Sequence, residues 1–289
     1  MAFKAPAQIA ESFNGVGKAK GSLPIMKMII LGILAGAYIG FGAELSTMVL
    51  TGTGATLGLG MSKLFGGAVF SVGLMLVVIG GAELFTGNNL MTIGVANGDV
   101  KFLALLKNWG VVYLANLIGS VLLVYIMYKS NLWQTGAKMV DGVCSVDGGG
   151  CANTALGIAI GKVNLSWSEA FYRGIGCNWL VCLAVWLAAS SEEISGKIWG
   201  IFFPIMAFVA SGFEHCVANM YFIPMGIFLK ADPVMVDQVA SFGAKADALT
   251  WGGFAVNNLV PVTLGNIVGG AVFVGLAYYF AYVRKGKNA

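Results

Sequence analysis

The chain carries two related stretches, GAELFTGN at residues 81–88 and GFEHCVAN at residues 212–219. Each has Gly-x-Glu, and an Asn follows the Glu five residues later. A second pattern comes after each stretch, two asparagines eight residues apart, at Asn108, Asn116, Asn258 and Asn266. The first half of the chain therefore resembles the second half, and this internal repeat decides the fold.

The composition around the repeat is that of a membrane protein. Of the 289 residues, 58% are apolar and 10% are charged, and the mean hydropathy is +0.82. Such a chain lacks the polar surface that a soluble domain needs, and disordered, collagen-like and disulfide-rich classes are excluded as well. The net charge of +4 comes from basic residues scattered between apolar runs, so no nucleic-acid partner is expected.

Six apolar runs are long enough to cross a bilayer core of about 30 Å. They lie near residues 27–48, 64–85, 109–128, 168–190, 198–229 and 254–283. A repeat unit of three spans must place its copy upside down in the membrane. The sequence therefore predicts one all-α transmembrane domain over residues 1–289, built from inverted three-helix repeats near residues 27–128 and 168–283.

The second and fifth spans are predicted to be broken. The segment between Lys63 and Asp99 holds 35 residues, of which Glu83 is the one charged residue, and the segment between Lys197 and Lys230 holds 32, of which Glu214 is the one charged residue. The latter would be about 48 Å long as one helix, which exceeds the bilayer core. We expect each span to form two half-helices that meet near the midplane, with half-helix N-termini that favour a small anion.

Residues 1–26 form an N-terminal segment without a convincing signal peptide. Within it, residues 5–19 fit either a short amphipathic helix on the membrane surface or a loosely ordered tail. Ten lysines and arginines fall on the side that holds the termini and six on the other side, while Arg173 lies near a span end. The positive-inside rule therefore predicts a multi-pass protein of the inner or plasma membrane with both termini in the cytoplasm.

Three ionisable groups fall inside the broken spans: Glu83, Glu214 and His215. The two glutamates fit proton or cation ligands, but a structural role is favoured, in which each accepts hydrogen bonds from backbone N–H groups of its own break. His215 is the only histidine, and its counterpart in the first repeat is Leu84. We therefore expect His215 to be the group that exchanges protons, with a histidine that stays neutral and donates one hydrogen bond as the alternative.

Other polar residues near the breaks have two interpretations each. Lys162 is either a solvated charge flanking span 4 or a group that dips into the outer vestibule and attracts anions. Thr86, Asn178 and Asn266 offer hydrogen-bond donors, and they fit interhelical contacts equally well.

The five cysteines do not form a metal site, and no cofactor is expected. Cys177, Cys182 and Cys216 lie in apolar spans and behave as small core residues. Cys144 and Cys151 fall in a predicted outer loop, where a disulfide and free thiols are both compatible with the sequence.

Three motifs resemble those of the formate/nitrite transporter family. They are VIGGAELFTG at residues 78–87, GIGCNWLVCLA at residues 174–184, and GFEH with Asn219 at the fifth span. The resemblance implies an aquaporin-like fold, a homopentamer with one pore in each protomer, and transport of small monovalent weak-acid anions. Formate is expected first, with nitrite and hydrosulfide as alternatives.

By matching positions, the resemblance also implies roles for single residues. His215 would be the central histidine, Lys162 the vestibule lysine and Thr86 the threonine of a moving loop. The pore-lining asparagines and apolar constrictions would be Asn178, Asn266, Phe70, Leu74, Phe85 and Phe208.

Two other functional classes agree less well with the sequence. A water or small-solute channel of similar fold would carry Asn-Pro-Ala at its breaks, and Gly-x-Glu stands there instead. A membrane enzyme would need a second catalytic group beside His215. We therefore expect a transporter of anions and protons in the lipid bilayer, without enzymatic activity.

Overall fold

The structure, a computed structural model, describes residues 3–144 and 150–284 and is almost entirely helical. A first helix, α1 (Pro6–Gly21), lies before the spans. Five helices in the described part are long and apolar enough to cross a membrane: α2 (Ile25–Leu50), α3 (Thr53–Gly80), α5 (Phe102–Lys129), α7 (Trp167–Ser190) and α11 (Gly253–Val283). The shorter helices are α4 (Thr92–Ala96), α6 (Cys151–Val163), α8 (Ile194–Ala210), α9 (Cys216–Lys230) and α10 (Val236–Ser241).

The remaining regular structure is small. Two short antiparallel strands, β1 (Met139–Val140) and β2 (Val143–Cys144), pair with Met139 opposite Cys144. Helical spans dominate because lipid offers the backbone no hydrogen-bond partners, so each segment must satisfy its own N–H and C=O groups. α7 shows how such a span begins: Ser166 and Glu169 form a capping box, in which Ser166 Oγ accepts from the backbone N–H of Glu169.

The predicted break of the fifth span is confirmed. α8 ends at Ala210, and α9 begins at Cys216 after a loop in which Gly212 has a φ of 79°. With α8 and α9 taken as one broken span, the architecture agrees with six spans.

The second span differs from the prediction of two similar half-helices. α3 has a kink near its start at Gly58, where φ is 76°, and it ends at Gly80; Gly81, with a φ of 87°, begins the break. Only a 3₁₀ turn (Gly87–Met91) and the five residues of α4 follow. α1 packs against this short second half, and Ile9 and Ile93 are buried in the same apolar cluster.

The repeats extend beyond the predicted boundaries. Equivalent residues are 142 positions apart in α2 and α7, as Gly32 and Gly174 are, and the same separation relates the C-terminal ends of α1 and α6. Each repeat therefore begins with a short helix, α1 or α6, before its three spans. We call the two sides of the molecule the α1 side and the α6 side.

Two contacts between equivalent residues mark the pseudo-two-fold axis. Ser71 Oγ donates to the carbonyl of Phe202, 131 positions later, at 3.2 Å. Tyr113 Oη and Thr263 Oγ1, 150 positions apart, lie 2.8 Å from each other. Because the partners in each pair hold equivalent positions, both pairs must lie close to the axis that relates the repeats.

The N-terminal segment forms the helix that was one of its two predicted alternatives, so the loose tail is wrong for residues 6–21. The apolar face of this helix packs against the rest of the protein. Ile9 and Phe13 are buried, and the Phe13 ring stacks on Trp186 at 5.4 Å.

The cysteines are all unpaired and buried. Cys144 and Cys151 are free thiols, so the disulfide alternative does not hold in this structure. The loop between them, residues 145–149, lies outside the described part of the chain.

Candidate functional site

The loop at each break is hydrogen-bonded to the first span of the same repeat, which is α2 or α7. The backbone N–H of Glu83 donates to the carbonyl of Leu31 in α2, and the N–H of Glu214 donates to the carbonyl of Arg173 in α7, each at 3.2 Å. These two bonds direct each loop into the interior of the protein, one loop from each side of the membrane.

An asparagine fastens each loop from the third span of its repeat. Asn116 donates to the carbonyls of Gly32 and Glu83 and accepts from the N–H of Phe85. Asn266 makes the equivalent bonds with Gly174, Glu214 and Cys216. A buried side-chain amide that satisfies three backbone groups accounts for non-helical backbone at membrane depth.

The two carboxylates pair with lysines instead. Lys20 Nζ lies 2.5 Å from Glu83, and Lys162 Nζ lies 2.8 Å from Glu214. The predicted backbone N–H donors to these carboxylates are therefore wrong, because the asparagines already serve the loop backbone. Lys20 and Lys162 are 142 positions apart, so they are equivalent residues of the two repeats.

Side-chain amides complete each carboxylate site. Asn88 donates to both Glu83 and Asn108, and Asn219 donates to both Glu214 and Asn258. The same network thus occurs twice, once on each side of the membrane. This duplication favours a structural role for the glutamates and gives each side of the pore one partly accessible ammonium group.

Lys162 does not behave as a solvated flanking charge. Its side chain is 15% exposed, and its ammonium lies 5.3 Å from the ring centroid of Phe222. The interpretation as a solvated charge is therefore wrong, and entry of Lys162 into an outer vestibule stays a prediction, because Lys162 lines neither of the two cavities described below. No local sequence pattern marks Lys20 as a site residue, although its twelve-residue spacing to Gly32 matches that of Lys162 to Gly174.

The two loops meet through Thr86 and His215. Thr86 Oγ1 lies 2.9 Å from Nε2 of His215. His215 is also the N-cap of α9, because its Nδ1 accepts from the backbone N–H of Ala218 at 3.0 Å. A backbone N–H can only donate, so Nδ1 carries no hydrogen, and in the neutral imidazole Nε2 carries it.

Asn178 and Cys182 hold Thr86 from α7. Asn178 Nδ2 and Cys182 Sγ both donate to the carbonyl of Thr86, at 3.2 and 3.4 Å. Asn178 also donates to the carbonyl of Asn266. Asn178 and Asn266 are fully buried and bind backbone groups, so they position the loops and do not line the cavities described below.

An apolar constriction surrounds His215. A narrow cavity of about 10 Å³ is lined by Ile39, Phe70, Leu74, Leu84, Val181, Ile205, Phe208 and His215. The rings of Phe70 and Phe208 meet edge to face at 5.7 Å. Phe70, Leu74 and Phe208 therefore lie where a constriction was predicted.

Phe85 does not line this cavity, and its predicted place in the constriction is wrong. Its ring packs edge-on against Tyr113 at 4.9 Å and Trp109 at 5.9 Å, behind the loop. Leu84 faces the cavity instead. Leu84 is the repeat equivalent of His215, which explains why the two residues point to the same place.

A larger cavity of about 540 Å³ opens on the α1 side. α1 contributes one wall, and Leu74 and Leu84 border both this cavity and the narrow one. Three lysines, Lys20, Lys27 and Lys197, line it together with the single carboxylate of Glu83. The cavity is therefore an electropositive vestibule that leads to an apolar constriction.

Comparison with known proteins agrees with this geometry. Residues 7–280 match the family described as Formate/nitrite transporter. The chain belongs to the formate/nitrite transporter family. It is therefore an integral membrane transporter, as the sequence motifs predicted, and not an enzyme.

Individual relatives match nearly the whole chain. A probable formate transporter of Methanothermobacter thermautotrophicus is 46% identical, over 98% of both chains. The formate channel FocA of Escherichia coli (strain K12) is 38% identical, over 98% of this chain and 96% of its own. A solved pentameric formate channel with formate bound superposes with a TM-score of 0.76 at 40% identity, covering 90% of this chain and 98% of that one.

Proposed function

We propose that this protein conducts formate across the cell membrane, that each formate is accompanied by a proton, and that His215 stays neutral throughout. The similarity to formate transporters and channels supports the substrate. The similarity to a pentameric channel supports a homopentamer with a pore in each protomer. The lysine count of the α1 side supports a cytoplasmic location for both termini.

The path begins and ends at a lysine. Lys162 on the α6 side and Lys20 on the α1 side attract the anion into the vestibules, since each ammonium is a donor beside apolar surface. Their glutamate partners keep each ammonium within reach of the pore mouth.

The constriction accounts for the proton. A bare anion between Phe70, Leu74 and Phe208 would lose its water without replacement, at a cost of several kcal/mol. A neutral acid avoids most of that cost. The anion therefore takes a proton from a hydronium ion in the vestibule, which leaves a water molecule there, before the neutral acid passes His215.

The bond from Ala218 N–H to His215 Nδ1 is the observation that carries the neutral role. Protonating Nδ1 would break the N-cap of α9, at a cost of about 1 kcal/mol. It would also place a cation at a helix N-terminus, where the helix dipole opposes it. Nε2–H thus serves as a neutral donor to Thr86 or to the passing acid, and His215 does not supply the proton.

Flux in proteoliposomes tests the function. Purified protein should take up labelled formate, and Leu74→Phe should reduce uptake by about tenfold or more because it fills the constriction. Leu76→Phe is the matched control on the same helix, since Leu76 is exposed on the outside of the protein. Competition with nitrite, hydrosulfide and lactate ranks the substrates.

Two results would contradict the proposal. Stronger competition by nitrite or hydrosulfide than by formate itself would transfer the physiological role to that anion. Absence of uptake of any of these anions would refute transport of weak acids.

A further inference from the structure

Glu44 and Tyr221 form a contact between α2 and α9 that the transport path does not use. Tyr221 Oη donates to Glu44 Oε2 at 2.5 Å. Tyr221 is buried, with 1% of its surface exposed, and Glu44 is half-buried. Neither side chain lines the two cavities described above.

Glu44, which lies in α2, differs from the two carboxylates of the broken spans in having no lysine partner. Among the described residues, Glu83 and Glu214 each have an ammonium within 4.0 Å, and Glu44 takes part in no ion pair. Burial of an ionised carboxylate without a cation is costly, and proton binding removes that cost.

The groups that face Glu44 come from four helices. α9 contributes the phenol of Tyr221, and α6 contributes the thiol of Cys151, which interacts electrostatically with the carboxyl. α3 and α5 approach this part of α2 through Gly73 and Leu123, which carry no charge. The carboxyl thus has one hydrogen-bond donor and no permanent charge beside it in the described structure.

The other repeat shows that the fold does not require polar groups here. The positions equivalent to Glu44, Tyr221 and Cys151 are Trp186, Leu90 and Ile9. Those three residues pack into one buried apolar cluster with Phe13. Apolar side chains therefore satisfy the packing at this site, and a carboxyl and a phenol on the α6 side call for a chemical explanation.

We propose that Glu44 is a proton-binding site on the α6 side of the channel, with Tyr221 as its hydrogen-bond donor. The half-buried, unpaired carboxyl binds a proton. The phenol stabilises the ionised form with one hydrogen bond, so both forms of the site exist. The ligand of the site is the proton itself.

The charge of this site acts on the neighbouring vestibule. The ring of Tyr221 meets that of Phe222 at 6.3 Å, and Phe222 lies under Lys162 and stacks on Phe70 at 6.4 Å. An ionised Glu44 places a negative charge behind this surface and opposes the attraction of anions by Lys162. Protonation of Glu44 therefore speeds anion entry from the α6 side, a consequence that rests on the proposed function.

Infrared difference spectroscopy tests the site without any transport. Spectra of the purified oligomer, recorded without formate across a range of pH, should contain the C=O band of a protonated carboxyl that Glu44→Gln removes. Tyr221→Phe should keep the band and move its titration to higher pH, because the ionised form loses its donor. Glu11→Gln, a change at an exposed site on α1, is the control and should leave this band unchanged.

The two variants keep the test decisive. Gln at position 44 keeps an acceptor for Tyr221, and size-exclusion elution checks that each variant assembles as wild type does. A Glu44→Gln spectrum identical to wild type would overturn the proposal. If that variant does not assemble, a Tyr221→Phe titration equal to wild type would overturn it.

Formate flux provides a second readout. With the pH on the α1 side held constant, the ratio of Glu44→Gln to wild-type flux should rise several-fold as the α6 side is made alkaline, since only the wild type gains the charge. A ratio independent of that pH would contradict the effect on the vestibule. Absent flux in the wild type would instead refute the proposed function, and the infrared result would still decide the proton site.

Discussion

Thr86 and His215 join the two inverted repeats at the centre of the protein, with Oγ1 and Nε2 2.9 Å apart. The repeat equivalents of these two residues are Val217 and Leu84, so the polar contact occurs once and breaks the symmetry of the pore. In contrast, the bonds from asparagine to glutamate, Asn88 to Glu83 and Asn219 to Glu214, occur in both repeats. The asymmetric pair is therefore the part of the centre that the fold alone does not explain.

Replacing Thr86 tests this contact. Thr86→Val keeps the shape of the side chain but leaves Nε2–H of His215 without an acceptor, which should cost about 1–3 kcal/mol of stability. Thr86→Ser restores the hydroxyl and should recover most of that loss. Thermal unfolding of the purified oligomer measures both variants. Equal stability of the Val and Ser variants would show that the hydrogen bond does not hold the centre together.

Because the ion pair of Lys162 and Glu214 is largely buried, replacing one partner should destabilise the protein more than replacing both. Lys162→Met leaves Glu214 as an unpaired buried charge and should destabilise the protein by about 3–5 kcal/mol. The double variant Lys162→Met/Glu214→Gln should recover much of this loss. A loss in the double variant equal to that of Lys162→Met would contradict the pairing.

An exposed pair on the same side is the control for that cycle. Arg173 and Glu169 lie 3.6 Å apart with side chains 42% and 51% exposed. Surface pairs of this kind contribute about 0–1 kcal/mol. Replacing the Arg173 side chain should therefore leave the unfolding temperature close to that of the wild type.

Helix packing depends on a glycine of α5. A Cβ at Gly119 would come within 1.9 Å of the carbonyl oxygen of Ile33 in α2, which makes contact with backbone unavoidable. Gly119→Ala should destabilise the protein by about 1–3 kcal/mol. Gly110→Ala on the same helix is the control, because no atom lies within 4 Å of its Cβ position. If both variants unfold at the same temperature, the close approach of α2 and α5 is not as described.

Asp99 attaches α1 to the loop before α5. Lys18 Nζ lies 2.8 Å from its carboxylate, and Asn14 donates to it as well. Hydrogen bonds, first from Lys18 and then from Asn14 and Asn97, lower the pKa of Asp99 from 3.8 to about 2. Because the folded-state pKa is lower, this contribution is present above the unfolded pKa of 3.8 and is lost as the pH falls towards 2.

Amide hydrogen exchange of α1 measures this attachment. Exchange in residues 6–21 should not change between neutral pH and about pH 5, after correction for the intrinsic rate. Asp99→Asn should accelerate it at both values, whereas Asp247→Asn on the α6 side should not. If residues 6–21 of the Asp99→Asn variant exchange at the wild-type rate, the apolar contacts of Phe13 and Ile9 are sufficient to hold α1 in place.

Much of this fold follows from sequence pattern, because lipid imposes long apolar helices and the paired Gly-x-Glu motifs mark the two breaks. Glu83, Glu214 and His215 stood out for the same reason, since ionisable groups inside apolar runs are rare. The direction of a side chain does not follow from such patterns. Phe85 and Leu84 are adjacent and equally apolar, and only the course of the loop decides which of them faces the pore.

Lys20 illustrates a different limit. It lies in a polar segment before the first predicted span, where a lysine normally flanks the membrane. Lys20 reaches Glu83 only because α1 packs beside the broken second span, and no local sequence pattern predicts that packing. Extending the repeat from Gly32 and Gly174 towards the N-terminus pairs Lys20 with Lys162 and identifies Lys20 as a site residue.

The most direct test of a neutral His215 is the ratio of protons to formate during uptake. Proteoliposomes with a pH dye inside report protons, and labelled formate reports the anion. His215→Asn keeps an acceptor for Ala218 N–H and a donor for Thr86 but cannot relay a proton near neutral pH. We expect one proton to enter with each formate in both proteins, whatever the change in rate. Loss of proton entry in His215→Asn, with formate still moving as a charged ion, would show that the imidazole supplies the proton.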